Sequence, residues 1–469
     1  MTDTSPLSAP LALPCGVVLP NRLVKAAMTE ALADEFSRPT LELCRLYERW
    51  SAGGVGLCVT GNVQVDRRHL ERPGNVCIDG PQGEAAMARL RALAAAGQKH
   101  GCKMIAQLGH AGRQSNGMVN MEPLGPGDVP MTAPHGLPSF VGHVMFGTPR
   151  ALTVPEVADV VERFASAAAV CKECGFDGVQ IHAAHGYLLS SFLNTNANNR
   201  AALFGEGDPY GGVLERRAQP LLDVARAVRA RCGPGFALSV KLNSADFQQG
   251  GLSAGEAVRV AVWLEAEGID LLEISGGSYE AGIFKADEAL ADGLPAAAAP
   301  KRQSTVLREA YFLQYAVAVK EALRSGRMPV MVTGGWRVRA SMERAIERQE
   351  VALIGLGRPL CGDPDGARKL LSRSVDSLPV YEQTLQVGFA ALGPLYRLLP
   401  AGLQSALRMG GQQGWFYRQI VAMARNGEPV AGKWPFWSYL VNTWDEVRMA
   451  RAMRGMPAEC RGSVPRRER

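Results

Sequence analysis

The sequence predicts an α/β fold, a parallel (β/α)8 barrel followed by a helical extension. Eight short apolar runs alternate with amphipathic stretches of helical period up to about residue 375, as strands buried on both faces and joined by crossover helices would. The seventh and eighth runs end in glycine-rich turns, Thr333-Gly334-Gly335-Trp336-Arg337 and Gly355-Leu356-Gly357-Arg358-Pro359. Beyond them the alternation stops. The chain of 469 residues therefore divides into a barrel, 1–375, and an extension, 376–469.

Leu11 to Leu19, with Pro14-Cys15-Gly16 in the middle, reads as a hairpin ahead of the barrel. Arg22 to Met28 is the first strand. Pro39 to Ala52 is a helix with Leu43, Leu46, Tyr47 and Trp50 on one side, stopped by Gly53-Gly54. Val55 to Thr60 is the second strand, Gly83 to His100 an Ala- and Leu-rich helix, and Lys103 to Leu108 the third strand. An irregular insertion rich in Gly, Pro and Met spans 112–150, long enough to be functional. Thr153 caps a helix to Cys174, and Phe176 to Ile181 is the fourth strand.

Leu214 to Arg231 is a helix and Phe236 to Leu242 the fifth strand; Ser253 caps a helix to Gly268, and Asp270 to Ser275 is the sixth. Thr305 to Ser325 is a helix, Pro329 to Thr333 the seventh strand, Arg337 to Gln349 a helix and Val351 to Gly355 the last strand, with a short helix near Asp363-Pro364. The loop 276–304 and the insertion border the open end of such a barrel and shape its pocket. In the extension, Gly410-Gly411 and Pro435 punctuate several short helices, and four of the seven tryptophans (Trp415, Trp434, Trp437, Trp444) fall there. Such aromatic content packs on the barrel or on a second subunit, making the extension the candidate surface for a homo-oligomer.

A hydrophobic content of 47% and a charged content of 20% are those of a globular protein. The net charge of +6 is modest and its Lys and Arg are interspersed with acids, which argues against a nucleic-acid surface. No uncharged run approaches the ~18 residues of a membrane span, and Met1 to Pro14 has no basic stretch leading into a long apolar run. The expected location is cytoplasmic, with no membrane partner. The ten cysteines are scattered through apolar segments, as reduced thiols are. Cys171-Lys172-Glu173-Cys174 has redox spacing but lies late in a helix and is read as structural.

The chemistry concentrates just past the fourth strand, in Gln180-Ile181-His182-Ala183-Ala184-His185-Gly186-Tyr187-Leu188-Leu189-Ser190-Ser191-Phe192-Leu193. Residues at the C-terminal ends of barrel strands line the mouth of the active site. Two imidazoles and a phenol there supply two hydrogen-bond donors and a weak acid. A lone His on an apolar strand is more often a satisfied core residue, but a pair followed by Gly and Tyr fits a core poorly. His-x-x-His could also supply two zinc ligands, yet no third ligand or Glu base stands at suitable spacing, so no metal is assigned. The two glycine turns at strands seven and eight are where bare backbone N–H groups reach an anion, with Arg358 adding a charged donor.

His-x-x-His-Gly-Tyr-Leu-Leu-x-x-Phe-Leu, with Asn199-Arg200 and Tyr210-Gly211-Gly212, resembles the centre of the Old Yellow Enzyme family over roughly residues 10 to 375. The resemblance implies a TIM barrel that binds FMN noncovalently and takes electrons from NADPH or NADH. It would reduce the C=C bond of an activated alkene, an α,β-unsaturated carbonyl compound, in a ping-pong cycle. Gly334, Gly335, Gly357 and Arg358 would hold the FMN phosphate, and Gln107 the pyrimidine edge. Ala27, Met28 and Thr29 would lie along the flavin edge, with Thr29 near its carbonyl and Gly61 letting the ring approach. Lys241 stands where many members have Arg, and Ala27 where many have Pro. His182 and His185 would hold the substrate carbonyl oxygen, Tyr187 would protonate the alkene, and hydride would come from flavin N5.

Larger relatives add a four-cysteine iron–sulfur segment and nucleotide-binding domains. Here Cys361 and Cys460 alone follow strand eight, and no Gly-x-Gly-x-x-Gly follows a strand in the extension. Two alternatives stay open: oxidation of an amine or N-methyl group on the same fold, and a barrel that binds FMN or a phosphate ligand without turnover.

Overall fold

The computed structural model describes residues 5–131, 139–246, 250–275, 304–385 and most of 396–455. Eight strands form a closed, all-parallel barrel in sequence order: β1 (Leu23–Lys25), β2 (Leu57–Gln64), β3 (Lys103–Gly109), β4 (Gly178–Ala183), β5 (Ala237–Asn243), β6 (Leu271–Ser275), β7 (Val330–Thr333) and β8 (Leu353–Leu356). β8 closes against β1, pairing Gly355 with Val24. The expected fold class is the observed one, with strand ends that match or shift by at most four residues. The largest shift is in β2, which runs on to Gln64 through a register break between Val59 and Asn62.

The outer helices are α1 (Leu41–Ala52), α2 (Glu84–Gln98), α3 (Val154–Glu173), α4 (Leu214–Cys232), α5 (Ala254–Ala266), α6 (Ser304–Ala322), α7 (Arg339–Glu347) and α8 (Gly366–Leu371). Two begin with reciprocal caps. Thr153 Oγ accepts the Glu156 N–H while Glu156 accepts the Thr153 N–H, and Ser253 and Glu256 repeat the arrangement; such a cap contributes about 1 kcal/mol.

The barrel wall separates two cores. Val24, Leu57, Val59, Ile105, Ala237, Leu271, Met331 and Leu353 fill the inside, with Leu13 and Leu19 packed against them. Those two leucines belong to the hairpin Leu11–Ala12/Val18–Leu19, which plugs the end of the barrel opposite the active-site mouth. Between wall and helices lie Val63, Val65, Phe164, Leu221, Val260 and Trp50, among others. Alternation about Val63 and Val65 turns Asn62 and Gln64 inward.

The 112–150 insertion is more regular than its composition suggests. Leu124–Gly125 pairs in parallel with Arg150–Ala151, and Ser139–Phe146 is helical. Residues 132–138 and 276–303 lie outside the described residues, and so does most of the proposed pocket loop 276–304. Arg200, fully buried, pins the insertion in place: its guanidinium forks onto Asp208 (2.8 Å twice) and donates to the carbonyls of Pro126 (3.1 Å) and Leu152. Cys171 and Cys174 are buried thiols, as expected of a structural pair.

The extension differs from the several short helices expected. Among the described residues, α9 (Ala401–Asn426) and α10 (Pro435–Arg454) form a packed pair. Gly410 does not break α9. A Cβ there would come 2.7 Å from the Tyr439 ring, and one at Gly414 2.8 Å from the Tyr439 N, so these glycines let two helices approach closely. Pro435 sits at the first turn of α10, where its missing N–H costs nothing.

The pair packs on the barrel itself. Arg49 of α1 forks onto Asp365 (2.9 and 2.8 Å) and reaches Glu428 (3.0 Å). Arg72, in the loop after β2, stacks 3.8 Å over the Tyr417 ring and donates to Glu446 and to Asn442 Oδ1 (3.2 Å). Trp415 is buried, whereas Trp434, Trp437 and Trp444 stay 62%, 67% and 64% exposed. No helix among the described residues is long and apolar enough to cross a membrane.

Candidate active site

The His182 and His185 rings stand edge-on at 5.2 Å, and His182 and Tyr187 at 4.8 Å. A tight turn past β4 brings them together. His185 is left-handed (φ 61°) and so is Gly186 (φ 80°). A non-glycine residue in that region is uncommon and costs roughly 1–2 kcal/mol. The surroundings hold it there: the His185 N–H donates to Asn243 Oδ1 (3.2 Å) and its carbonyl accepts from Gln114 Nε2 (2.7 Å). Asn243 in turn donates to Asp246 Oδ1 (2.8 Å), whose other oxygen accepts from Asn194 Nδ2 (2.8 Å) and the Leu252 N–H (3.0 Å).

Both imidazoles are neutral. Burial pushes the pKa of each well below the ordinary value of 6.5, and the Lys241 charge adds to this, together with His185 in the case of His182. His182 Nδ1 accepts the Ala184 N–H at 3.2 Å, which places its single proton on Nε2. His185 Nε2 lies 2.8 Å from Ser275 Oγ at the end of β6. A pair of neutral donors beside a buried phenol is suited to an oxygen on which negative charge develops.

Below this cluster runs a buried polar chain across four strands. Gln107 Nε2 donates to Gln180 Oε1 (2.7 Å), and Gln180 Nε2 donates to Glu273 Oε2 (2.8 Å) and Ser239 Oγ (3.1 Å). Lys241 Nζ lies 2.9 Å from Glu273 Oε1. Lys241 therefore carries its own counter-ion, one the sequence reading did not identify.

At β1, the Thr29 hydroxyl donates to Glu71 Oε2 (2.8 Å), which also accepts from Asn62 Nδ2 (2.9 Å). Gly61 is required by the protein's own packing. Its N–H donates to Glu30 Oε1 (2.9 Å) and Tyr47 Oη (3.0 Å), and a Cβ would stand 2.4 Å from the Met28 carbonyl oxygen. Ala27 packs against the inner core, and Met28 Sδ meets Cys361 Sγ at 3.4 Å, beside Gly357. Gly334 (φ 136°) and Gly335 (φ 78°) end β7 next to the Gly357-Arg358 turn of β8. Arg358 Nη1 and Arg337 Nη2 both contact Glu382 Oε1, at 2.9 and 2.8 Å.

Every residue singled out from the sequence thus lies at the C-terminal end of the barrel. Those missed are of two kinds. Asn62, Gln64 and Glu273 are polar residues on inward positions of apolar strands, a signal that alternation could have exposed. Glu71 and Glu382 sit in a loop and in the extension, where no local pattern marks them.

Asp66, His69 and His110 also bring potential metal-ligand atoms within 4.8 Å of one another. Their hydrogen bonds do not suit a cation. His110 Nδ1 accepts the Gly112 N–H (3.0 Å), so Nε2 carries the proton, and Arg68 forks onto Asp66 at 2.9 and 2.6 Å.

The residues present fit a flavin. Asn62 Oδ1 and both amide atoms of Gln64 are buried without a hydrogen-bond partner among the described residues, a costly state that donors and acceptors on a ring edge would relieve. The glycine turns and Arg358 offer donors to a phosphate. Fold and site together define a flavin-binding barrel oxidoreductase.

The model of the NADH:flavin oxidoreductase / NADH oxidase family matches residues 6–376, and the chain belongs to that family. With the family come FMN as cofactor and a reduced nicotinamide nucleotide as electron donor. The NADH-dependent flavin oxidoreductase iliE of Hypocrea jecorina (strain QM6a) is 35% identical over 365 residues, covering 76% of this chain and 86% of that protein. The NADH oxidase of Thermoanaerobacter brockii is 29% identical over 355 residues, 75% of this chain and 49% of that protein. Among solved structures, an old yellow enzyme homologue from Zymomonas mobilis superposes with a TM-score of 0.63 at 23% identity, covering 80% of this chain and 95% of that one. Morphinone reductase gives 0.61 at 21%, covering 81% and 92%. At those identities the likeness is one of fold.

Proposed function

We propose that the protein reduces the C=C bond of α,β-unsaturated carbonyl compounds, taking electrons from NADH or NADPH through FMN. The observation that carries this reading is the cluster of His182, His185 and Tyr187: two neutral imidazoles and a phenol in contact at the mouth of the barrel. When bound, FMN supplies the hydride that reaches one alkene carbon. The protein's own groups do the rest.

His182 donates Nε2–H to the substrate carbonyl oxygen and His185 assists from the adjacent turn, drawing electron density from the alkene and stabilising the enolate as charge develops. Tyr187 delivers the proton to the other alkene carbon. Ala27, Met28, Thr29, Gly61, Gln107 and Lys241 bind the ring, and Gly334, Gly335, Gly357 and Arg358 the phosphate. In this reading residues 1–375 are the catalytic unit and 376–469 an accessory cover, anchored by Arg49 on Glu428 and by Arg72 on Asn442.

The test is spectroscopic. Purified holoenzyme is reduced anaerobically with NADPH or NADH, and the flavin absorbance near its visible maximum is followed after cyclohexenone is added. Return of the oxidised spectrum is expected. A flavin that bleaches with nicotinamide, yet stays bleached with cyclohexenone and other enones, overturns the ene-reductase reading and leaves the coarser oxidoreductase one standing.

A further inference from the structure

Lys241 and Glu273 are cross-strand neighbours on the inner face of β5 and β6, and Lys241 also pairs in register with His182. Their side chains are 4% and 0% exposed, with Nζ 2.9 Å from Oε1. Glu273 cannot swing away, because its second oxygen accepts from Gln180 Nε2, itself fixed by Gln107. The barrel floor therefore presents a buried ion pair rather than a lone cation.

We propose that Glu273 is a positioning residue that keeps the Lys241 charge compensated, so that the ring site offers a reduced flavin little net positive charge and FMN is held at a low potential. This rests on the reading that Lys241 borders the flavin. The physical reason is differential: two-electron reduction places negative charge on the ring, and a free cation nearby would favour that form over the oxidised one. A carboxylate within hydrogen-bond distance cancels most of the advantage.

The same pair explains how a buried Lys is tolerated at all. Breaking it from one side leaves an uncompensated buried charge, whereas replacing both partners with neutral groups of similar shape need not.

The experiment is a four-member cycle of holoenzymes: wild type, Glu273→Gln, Lys241→Met and the double variant. Each is read by the flavin midpoint potential against indicator dyes at pH 6 and 8, and by the Kd for oxidised FMN. Glu273→Gln should raise the preference for reduced over oxidised FMN at least tenfold, about 30 mV for a two-electron couple. Lys241→Met should lower it by a similar factor, and the double variant should return to within a few-fold of wild type. The conservative Glu273→Asp should stay near wild type.

Single variants that leave the potential unmoved at both pH values while FMN binds normally would overturn the proposal. So would two singles that shift in the same direction. A wild-type protein that takes up no FMN would instead refute the cofactor placement, which is a different failure.

Discussion

Replacing His182 with Ala tests the oxyanion-binding geometry without requiring turnover. A para-substituted phenol, bound as phenolate, presents a charged oxygen like that of an enolate and should give a long-wavelength charge-transfer band with oxidised FMN. His182 is buried and its Nδ1 is committed to the Ala184 N–H, so one proton, on Nε2, is available to that oxygen. Losing a hydrogen bond to a charged group costs about 1.5–3 kcal/mol, and 1.4 kcal/mol is tenfold. The Kd should therefore rise by roughly 10- to 150-fold, measured by titrating the band. The neutral ring adds a pH signature. With both imidazoles unprotonated well below pH 6.5, affinity for total phenol should strengthen with pH up to the phenol's own pKa and then level off. A donor that is imidazolium would instead stop that rise at its own pKa and give a falling limb above the phenol's pKa. An unchanged Kd in His182→Ala, or that falling limb, would refute the assignment.

Two further outcomes follow from the same site and its surroundings. Tyr187→Phe should leave reduction of the flavin by nicotinamide nearly intact in stopped flow, but slow reoxidation by cyclohexenone by ~10²–10⁴-fold; equal loss of both half-reactions would make Tyr187 structural. Burial lowers the pKa of His69 to about 4 and of His110 to about 3, against about 6.5 unfolded. These imidazoles are neutral in the fold while the unfolded chain takes up protons, so stability is full above about pH 6.5 and falls below it. From pH 7 to 5 each should withdraw about 2 kcal/mol, with His182 and His185 acting in the same direction; urea midpoints that stay flat over that interval would contradict the burial.

Barrel and mouth were legible because each strand is a short apolar run closed by polar punctuation, and because the long histidine motif has few degenerate positions. Helix starts were legible where chemistry marks them, as at Thr153 and Ser253. The extension was not. Gly410-Gly411 reads as a breaker in one dimension, yet Gly410, with Gly414, serves the close packing of α9 on Tyr439, a tertiary fact with no local trace. The β2 boundary failed for a similar reason, since the register break at Gly61 lets the strand run on to Gln64. Lys241 was recognised as a departure from the usual Arg, but its partner Glu273 lies over thirty residues away and is identified by register alone.

The residues proposed to contact the ring and the phosphate were marked in the sequence, but the groups paired with them come from elsewhere. Lys241 faces Glu273 on the next strand, the Thr29 hydroxyl proton is committed to Glu71 in a loop, and Arg358 meets Glu382 in the extension. Thr29 can therefore only accept through its remaining lone pairs, so toward a flavin it would favour an N–H over a carbonyl. Glu71 is followed directly by Arg72, whose guanidinium is clamped by Tyr417 and Glu446 of the extension. Between the clamp that α9 and α10 place on Arg72 and the Thr29 hydroxyl stand one peptide bond and the Glu71 hydrogen bond.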